Sequence, residues 1–96
     1  MEKQNAVAAL AALAQETRLE VFRLLVRSGP EGLPAGQIGE SLGIPSATLS
    51  FHLKELRSAG LVACERDGRS RIYRPDFGAM RELLGFLTEN CCEGAC

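Results

Sequence analysis

This sequence is short of the residues on which most enzyme chemistry depends. Its 96 residues hold one histidine, His52. No apolar run approaches the ~18 residues that a membrane-spanning helix needs, so no membrane partner is expected. There is no glycine-rich phosphate loop, no cysteine set beside a histidine, and no alternation of strands and helices. An enzyme is therefore not expected, nor a catalytic cofactor. The opening MEKQNAVAALAALAQ has one lysine and no strong apolar centre, which makes it a poor signal peptide. A cytoplasmic location follows as the expectation, and there thiols stay reduced.

A chain of this length forms one domain with little core to spare, so a second subunit would usefully cover apolar surface. The formal net charge is −1, which by itself argues against nucleic acid. Its distribution argues the other way. Residues 54–74 carry six bases, Lys54, Arg57, Arg66, Arg69, Arg71 and Arg74, against three acids; residues 75–96 carry Arg81 against four acids. A basic block beside an acidic end is a local electrostatic footprint.

Hydrophobic spacing predicts a helix over 6–14, with Val7, Leu10, Ala11 and Ala14 in step. A second spans 17–28, with Leu19, Phe22 and Val26 on one stripe and Val21 and Leu25 beside it. Gly29-Pro30 stops it, and PEGLP is a short loop. A brief third helix, Ala35 to Leu42, ends at Gly43. Pro45-Ser46 opens a fourth, which runs to about Ala59 on a stripe of Leu49, Leu53 and Leu56. LVACER and RSRIYR flank Asp67-Gly68, a two-residue hairpin signal. That turn would pair Arg66 with Arg69, Cys64 with Arg71 and Val62 with Tyr73. It would set Arg66, Arg69 and Arg71 on one face and turn Leu61, Ala63 and Ile72 inward. A last helix follows Asp76, its N-cap, to Thr88, with Phe77, Met80, Leu83, Leu84 and Leu87 as its apolar positions.

Two helices joined by a tight GIPS turn, then a basic hairpin, make the expected fold mainly α with a β-hairpin wing: a winged helix-turn-helix of about five helices. Opposite the leucine stripe of the fourth helix lie Ser46, Ala47, Ser50, Phe51 and Lys54. Small hydroxyls on Ser46, Thr48 and Ser50 let a helix sink into the major groove of double-stranded DNA, and an exposed Phe51 would touch thymine methyls. The competing placement for Phe51 is the core or a subunit contact. Arg66, Arg69 and Arg71 are candidate phosphate contacts. His52 lies beside Leu49 and Leu56, which favours a half-buried residue with one hydrogen bond over a metal ligand or a phosphate contact.

From Ala11 to Leu87 the chain resembles the ArsR-type (ArsR/SmtB) bacterial metal and metalloid repressors, through LAQETRLEVFRLL, TLSFHLKELRSAGLV and RDGRSRIYR. The resemblance implies a homodimer, joined through the first and last helices, that binds a palindromic operator and leaves it when an effector binds. The family's recognition-helix contacts fall on Ser46, Ala47, Ser50 and Phe51. Phe51 stands where many members have a polar residue, and Ala47 where many have serine. The family's histidine-containing zinc site is missing from DFGAMRELLGFLTEN, and its cysteine box is missing from AGQIGESL.

What remains is the end of the chain, NCCEGAC, where Cys91, Cys92 and Cys96 cluster. It resembles the arsenic-operon repressors that carry a vicinal cysteine pair and a third cysteine near the C-terminus. Three thiols saturate trivalent arsenic (arsenite) or antimony (antimonite), whereas zinc wants four ligands. The expected division is a DNA-binding and dimerisation domain over 1–90 and a thiol sensor tail over 91–96. The alternative is a thiol-redox repressor: Cys92 and Cys96 could join, while a bond between adjacent Cys91 and Cys92 would be strained. A helix C-terminus with Glu89 and Glu93 nearby disfavours the thiolate that a peroxide sensor prefers. Cys64, next to Ala63 in the hairpin, is expected as a small hydrophobe rather than a ligand.

Overall fold

The computed structural model describes residues 1–94; Cys96, the third thiol of the expected sensor, lies outside the described residues. The helices are α1 (Lys3–Leu13), α2 (Glu16–Ser28), α3 (Ala35–Leu42), α4 (Ser46–Ser58) and α5 (Phe77–Thr88). The strands are β1 (Leu33–Pro34), β2 (Val62–Asp67) and β3 (Ser70–Pro75), and a 3-10 turn covers Cys91–Gly94. This is the winged helix-turn-helix that the sequence leads one to expect, with one addition. The segment expected as a plain loop contributes β1, which pairs Leu33 with Tyr73 and Pro34 with Ile72, giving a three-stranded sheet in the order β1-β3-β2.

The core forms where α2 and α4 meet the sheet. Val21, Phe22 and Leu25 of α2, Ile38 of α3, and Leu49, Leu53 and Leu56 of α4 are buried with Leu61, Val62 and Tyr73. Leu19, expected on the inner stripe of α2, is 42% exposed, because Val21 and Leu25 hold the centre of that face. A similar rotation affects α1. Its buried residues are Ala6, Ala9 and Ala12, while Val7 and Leu10 face out at 59% and 42% exposure. Methyl-sized side chains let α1 lie close against its neighbours, and bulkier ones would hold it off. On α5 only Leu83 is buried; Leu84 and Leu87 are 56% and 54% exposed.

The α3–α4 turn depends on Gly43, whose φ of 67° is a left-handed conformation that costs other residues energy. The Ile44 N–H then donates to the Gly39 carbonyl at 2.9 Å, closing the end of α3. Pro45 follows and starts α4.

The hairpin differs from expectation in register. Arg66 pairs with Arg71, Cys64 with Tyr73, Val62 with Pro75, and Asp67 with Ser70. The two central turn residues are therefore Gly68 and Arg69, not Asp67 and Gly68. Gly68 has φ of 63°, and Arg69 is not among the residues with positive φ. This is the type II′ pattern, with glycine at the first central position; a type I′ turn centred on Asp67-Gly68 would have forced Asp67 to positive φ as well. The inward face is also the opposite of the expected one. Val62, Tyr73 and Pro75 are buried and Cys64 is half-buried, whereas Ala63 is exposed and Ile72 only partly covered. Leu61 is buried, but as the exit of α4 rather than as part of β2.

Candidate nucleic-acid interface

Recognition by α4 begins with an asymmetric helix. Leu49, Leu53 and Leu56 anchor one side in the core, and His52 joins them at 7% exposure. Ser46, Ala47, Thr48, Ser50, Phe51 and Lys54 are all exposed. Phe51 is 55% exposed, so it does not turn into the core of this chain. Pro45 stands at the N-cap and no side chain caps the helix. The first-turn N–H groups, which have no partner inside the helix, are thus available to a phosphate oxygen. Ser46 and Ser50 also line, with Gly36, Gly39 and Glu40 of α3, a groove of about 410 Å³ along the helix-turn-helix.

His52 is a fixed part of the helix. Its Nδ1 lies 3.5 Å from Nη1 of Arg18, which must be the donor because guanidinium has no acceptor. The same arginine donates through Nε to the Ala12 carbonyl at 2.7 Å. Arg18 therefore ties the last turn of α1 to the middle of the recognition helix. His52 is held by one hydrogen bond, and its ring meets Phe51 edge-on at a centroid distance of 5.4 Å. Sequence reasoning missed Arg18: the contact spans 34 positions and leaves no periodic trace.

Beyond the core the hairpin continues as a wing. From Glu65 to Arg71 every residue is exposed. Arg66 and Arg71 face each other across the ladder. Arg69 sits in the turn itself, so the expected single face of three arginines becomes an opposed pair with a third cation at the tip. Like charges directly opposite in a sheet repel. A phosphate placed beside them would turn that repulsion into attraction. Arg74 is different: it is paired with Glu65 at 3.4 Å.

At the base of the wing, Tyr73 and Cys64 are cross-strand partners on the buried face. Burial, then the neighbouring Cys64 thiol, push the Tyr73 phenol above its usual value, partly offset by the charges of Arg57 and Arg71. Cys64 packs against the core, as expected for a small hydrophobe.

The chain reaches its tail through Asn90, whose φ of 57° is left-handed and does not continue α5. Cys91 and Cys92 are exposed, and their sulfurs lie 3.7 Å apart. Among the described residues no three histidine, cysteine or acidic side chains converge as a metal site.

A family model described as a helix-turn-helix domain matches residues 13–65, more than half of the chain, from the end of α1 into β2. The chain is thus a helix-turn-helix protein. It is 45% identical over 60 residues to YceK, an uncharacterized HTH-type transcriptional regulator of Bacillus subtilis, covering 62% of this chain and 59% of YceK. It is 37% identical over 68 residues to a Halobacterium salinarum protein named for the arsenical resistance operon, ArsR, covering 71% of this chain and 52% of that one. The chain spans little more than half the length of these two relatives.

Among solved structures, an ArsR-like transcriptional regulator from Rhodococcus sp. RHA1 superposes with a TM-score of 0.82 at 26% identity, covering 94% of this chain and 82% of that one. HlyU of Vibrio cholerae gives 0.71 at 34% identity over 91% of this chain and 97% of HlyU, and reduced HlyU gives 0.68 at 32% over 88% of each. The homodimeric winged helix-turn-helix DNA-binding domain of Mb0332 from Mycobacterium bovis gives 0.74 at 26% identity, covering 94% and 83%. The chain belongs to the ArsR/SmtB-type winged helix-turn-helix transcriptional regulators.

Proposed function

We propose that this regulator is a repressor that binds operator DNA as a homodimer and leaves it when trivalent arsenic, or antimony, bonds Cys91, Cys92 and Cys96. The DNA part of the reading rests on the exposed polar face of α4 and the arginines of the wing. Ser46, Thr48, Ser50, Phe51 and Lys54 face the groove, and Arg66, Arg69 and Arg71 hold phosphates. The dimer rests on the apolar residues that α1 and α5 leave in water, Val7, Leu10, Leu84 and Leu87, and on the homodimeric state of the Mycobacterium bovis domain. With no helix among the described residues long and apolar enough to cross a membrane, the reading places the protein in the cytoplasm beside its DNA.

The observation that carries the effector is the pair of exposed sulfurs of Cys91 and Cys92, 3.7 Å apart on one turn. Arsenite is neutral at physiological pH. With the tail cysteines reduced, exchange of its three hydroxyls for three thiols forms three arsenic–sulfur bonds and releases three waters, with no net proton or electron transferred. The exchange does not require acidic thiols, which suits a site behind a helix C-terminus. The name of the Halobacterium salinarum relative favours the same effector class.

Arsenite titration of the protein–DNA complex tests this reading. Wild type is expected to leave DNA with one arsenic bound per subunit and three sulfur neighbours by X-ray absorption. Moving the population from 99:1 to 1:99 takes ~5.5 kcal/mol of differential binding. Loss of one of three bonds in Cys91→Ser, Cys92→Ser or Cys96→Ser should therefore abolish release while DNA binding persists, and Cys64→Ser should change little. Release of Cys96→Ser at the wild-type arsenite concentration would remove the three-thiol site. A second reading, a thiol-redox switch on the same cysteines, is favoured by the likeness to HlyU, which has a structure in a reduced form. Release by diamide but not by arsenite would select it.

A further inference from the structure

Resting on the DNA-binding reading above, we infer that Lys54, Arg57 and Ser58 form a second phosphate-binding site for the DNA backbone, in the notch between the last turns of α4 and the root of the wing. The outward stripe of α4 continues from Ser46 through Ser50 and Lys54 to Arg57, at steps that keep one helix face. Arg57 thus stands one turn nearer the wing than the last residue assigned to the groove. The chain leaves α4 through Ala59, Gly60 and Leu61 and enters β2 at once, so Val62 and Ala63 wall the same notch. It encloses about 490 Å³ and is lined by Lys54, Arg57, Ser58, Val62 and Ala63. The wall stays low because Ala63 points outward, against the inward placement that alternation alone suggested.

Charge makes the notch selective. Lys54, Arg57 and Ser58 are all exposed. The ion pair found among the described residues joins Glu65 to Arg74, so neither Lys54 nor Arg57 is ion-paired there. Two cations and a hydroxyl lining one concavity without an acid among them match a phosphodiester. Guanidinium offers two parallel N–H donors, ammonium a point charge, and serine an O–H. A cation in the last turn of a helix also balances the helix dipole. That accounts for the sign of Arg57, but not for Lys54 a turn earlier nor for the open space between them. The notch lies between the groove face of α4 and the root of the wing, so a backbone held by both would be offered a further grip between them.

Because the site reads no base, a fluorescein-labelled duplex of random sequence is a sufficient probe. Binding is measured by anisotropy across a salt series for wild type, Arg57→Gln, Arg57→Lys, Lys54→Gln and Arg81→Gln, with thermal melting of each. Arg57→Gln and Lys54→Gln are each expected to lower the slope of log affinity against log salt by about one. Their melting temperatures should stay at the wild-type value. Arg57→Lys should keep the slope, which also covers the case of a misfolded Arg57→Gln. Arg81→Gln, with the same charge change on α5, should keep it too. A wild-type slope in Arg57→Gln, or an equal drop in Arg81→Gln, overturns the notch alone. Absence of salt-dependent binding by wild type overturns the regulator reading, and the notch with it.

Discussion

Phe51 is a large aromatic side chain left in water on a helix that otherwise buries its bulk. Its ring is braced edge-on by His52, and His52 is in turn held by Arg18. The ring is therefore aimed rather than loose, and aiming matters for contact with a thymine methyl. Phe51→Ala should leave unfolding free energy within ~0.5 kcal/mol of wild type, as for a surface site. It should reduce discrimination between operator and random DNA by ~1–3 kcal/mol, read by competition binding. Tyr73 behaves oppositely. Its phenol is raised above the ordinary ~10, first by burial. The folded chain thus keeps its proton to higher pH than the unfolded chain does. The resulting stability is complete below ~10 and is lost as pH rises through the folded value. Denaturant titrations over the alkaline range should show this loss in wild type, and Tyr73→Phe should flatten it.

At the scale of elements, the wing separates stability from function. Arg66 and Arg71 oppose each other in the ladder, so Arg71→Ala should leave the hairpin as stable or more stable, by ~0.2–1 kcal/mol. The Arg69→Ala/Arg71→Ala pair should nevertheless weaken specific and random DNA about equally and flatten the salt dependence, each lost phosphate contact removing about one unit of slope. Melting curves and salt series on the same protein would show the two effects side by side. The sequence displayed much of this element plan. Long periodic stretches revealed α2, α4 and α5, and Asp76 announced the start of α5, where its side chain accepts from the Ala79 N–H at 2.9 Å. The hairpin register was less legible, because both Asp67-Gly68 and Gly68-Arg69 satisfy a two-residue turn; only the backbone sign at Asp67 separates them. Its inward face was misjudged because Leu61 is buried by α4 and falls out of phase with the strand. β1 has two residues and so carries no period at all. The outward turn of Val7 and Leu10 was hidden as well: alanines are weak in any hydrophobic pattern, yet here they are the side that packs.

For the whole molecule, the unpartnered leucines of α5 set the expected assembly. Leu84→Glu with Leu87→Glu should convert the dimer to a monomer in sedimentation and abolish operator binding, while the helix content stays, since both residues are in water within one chain. The wing meets that same helix at a joint of one residue. β3 ends at Pro75, α5 begins at Phe77, and between them the Asp76 N–H donates to the Leu61 carbonyl at 2.8 Å. Asp76 is thus pinned to the exit of α4 while it starts α5. Nothing slack separates the two elements, so a tilt of α5 is handed to the root of the hairpin. The hairpin then works as a pointer about 20 Å long, at ~3.3 Å per residue. Each degree of rotation at the pivot sweeps the tip by about 0.3 Å. A few degrees at the pivot would carry Arg69 farther than a hydrogen bond can stretch, and the far ends of the molecule would be in communication without any residue between them having to unfold.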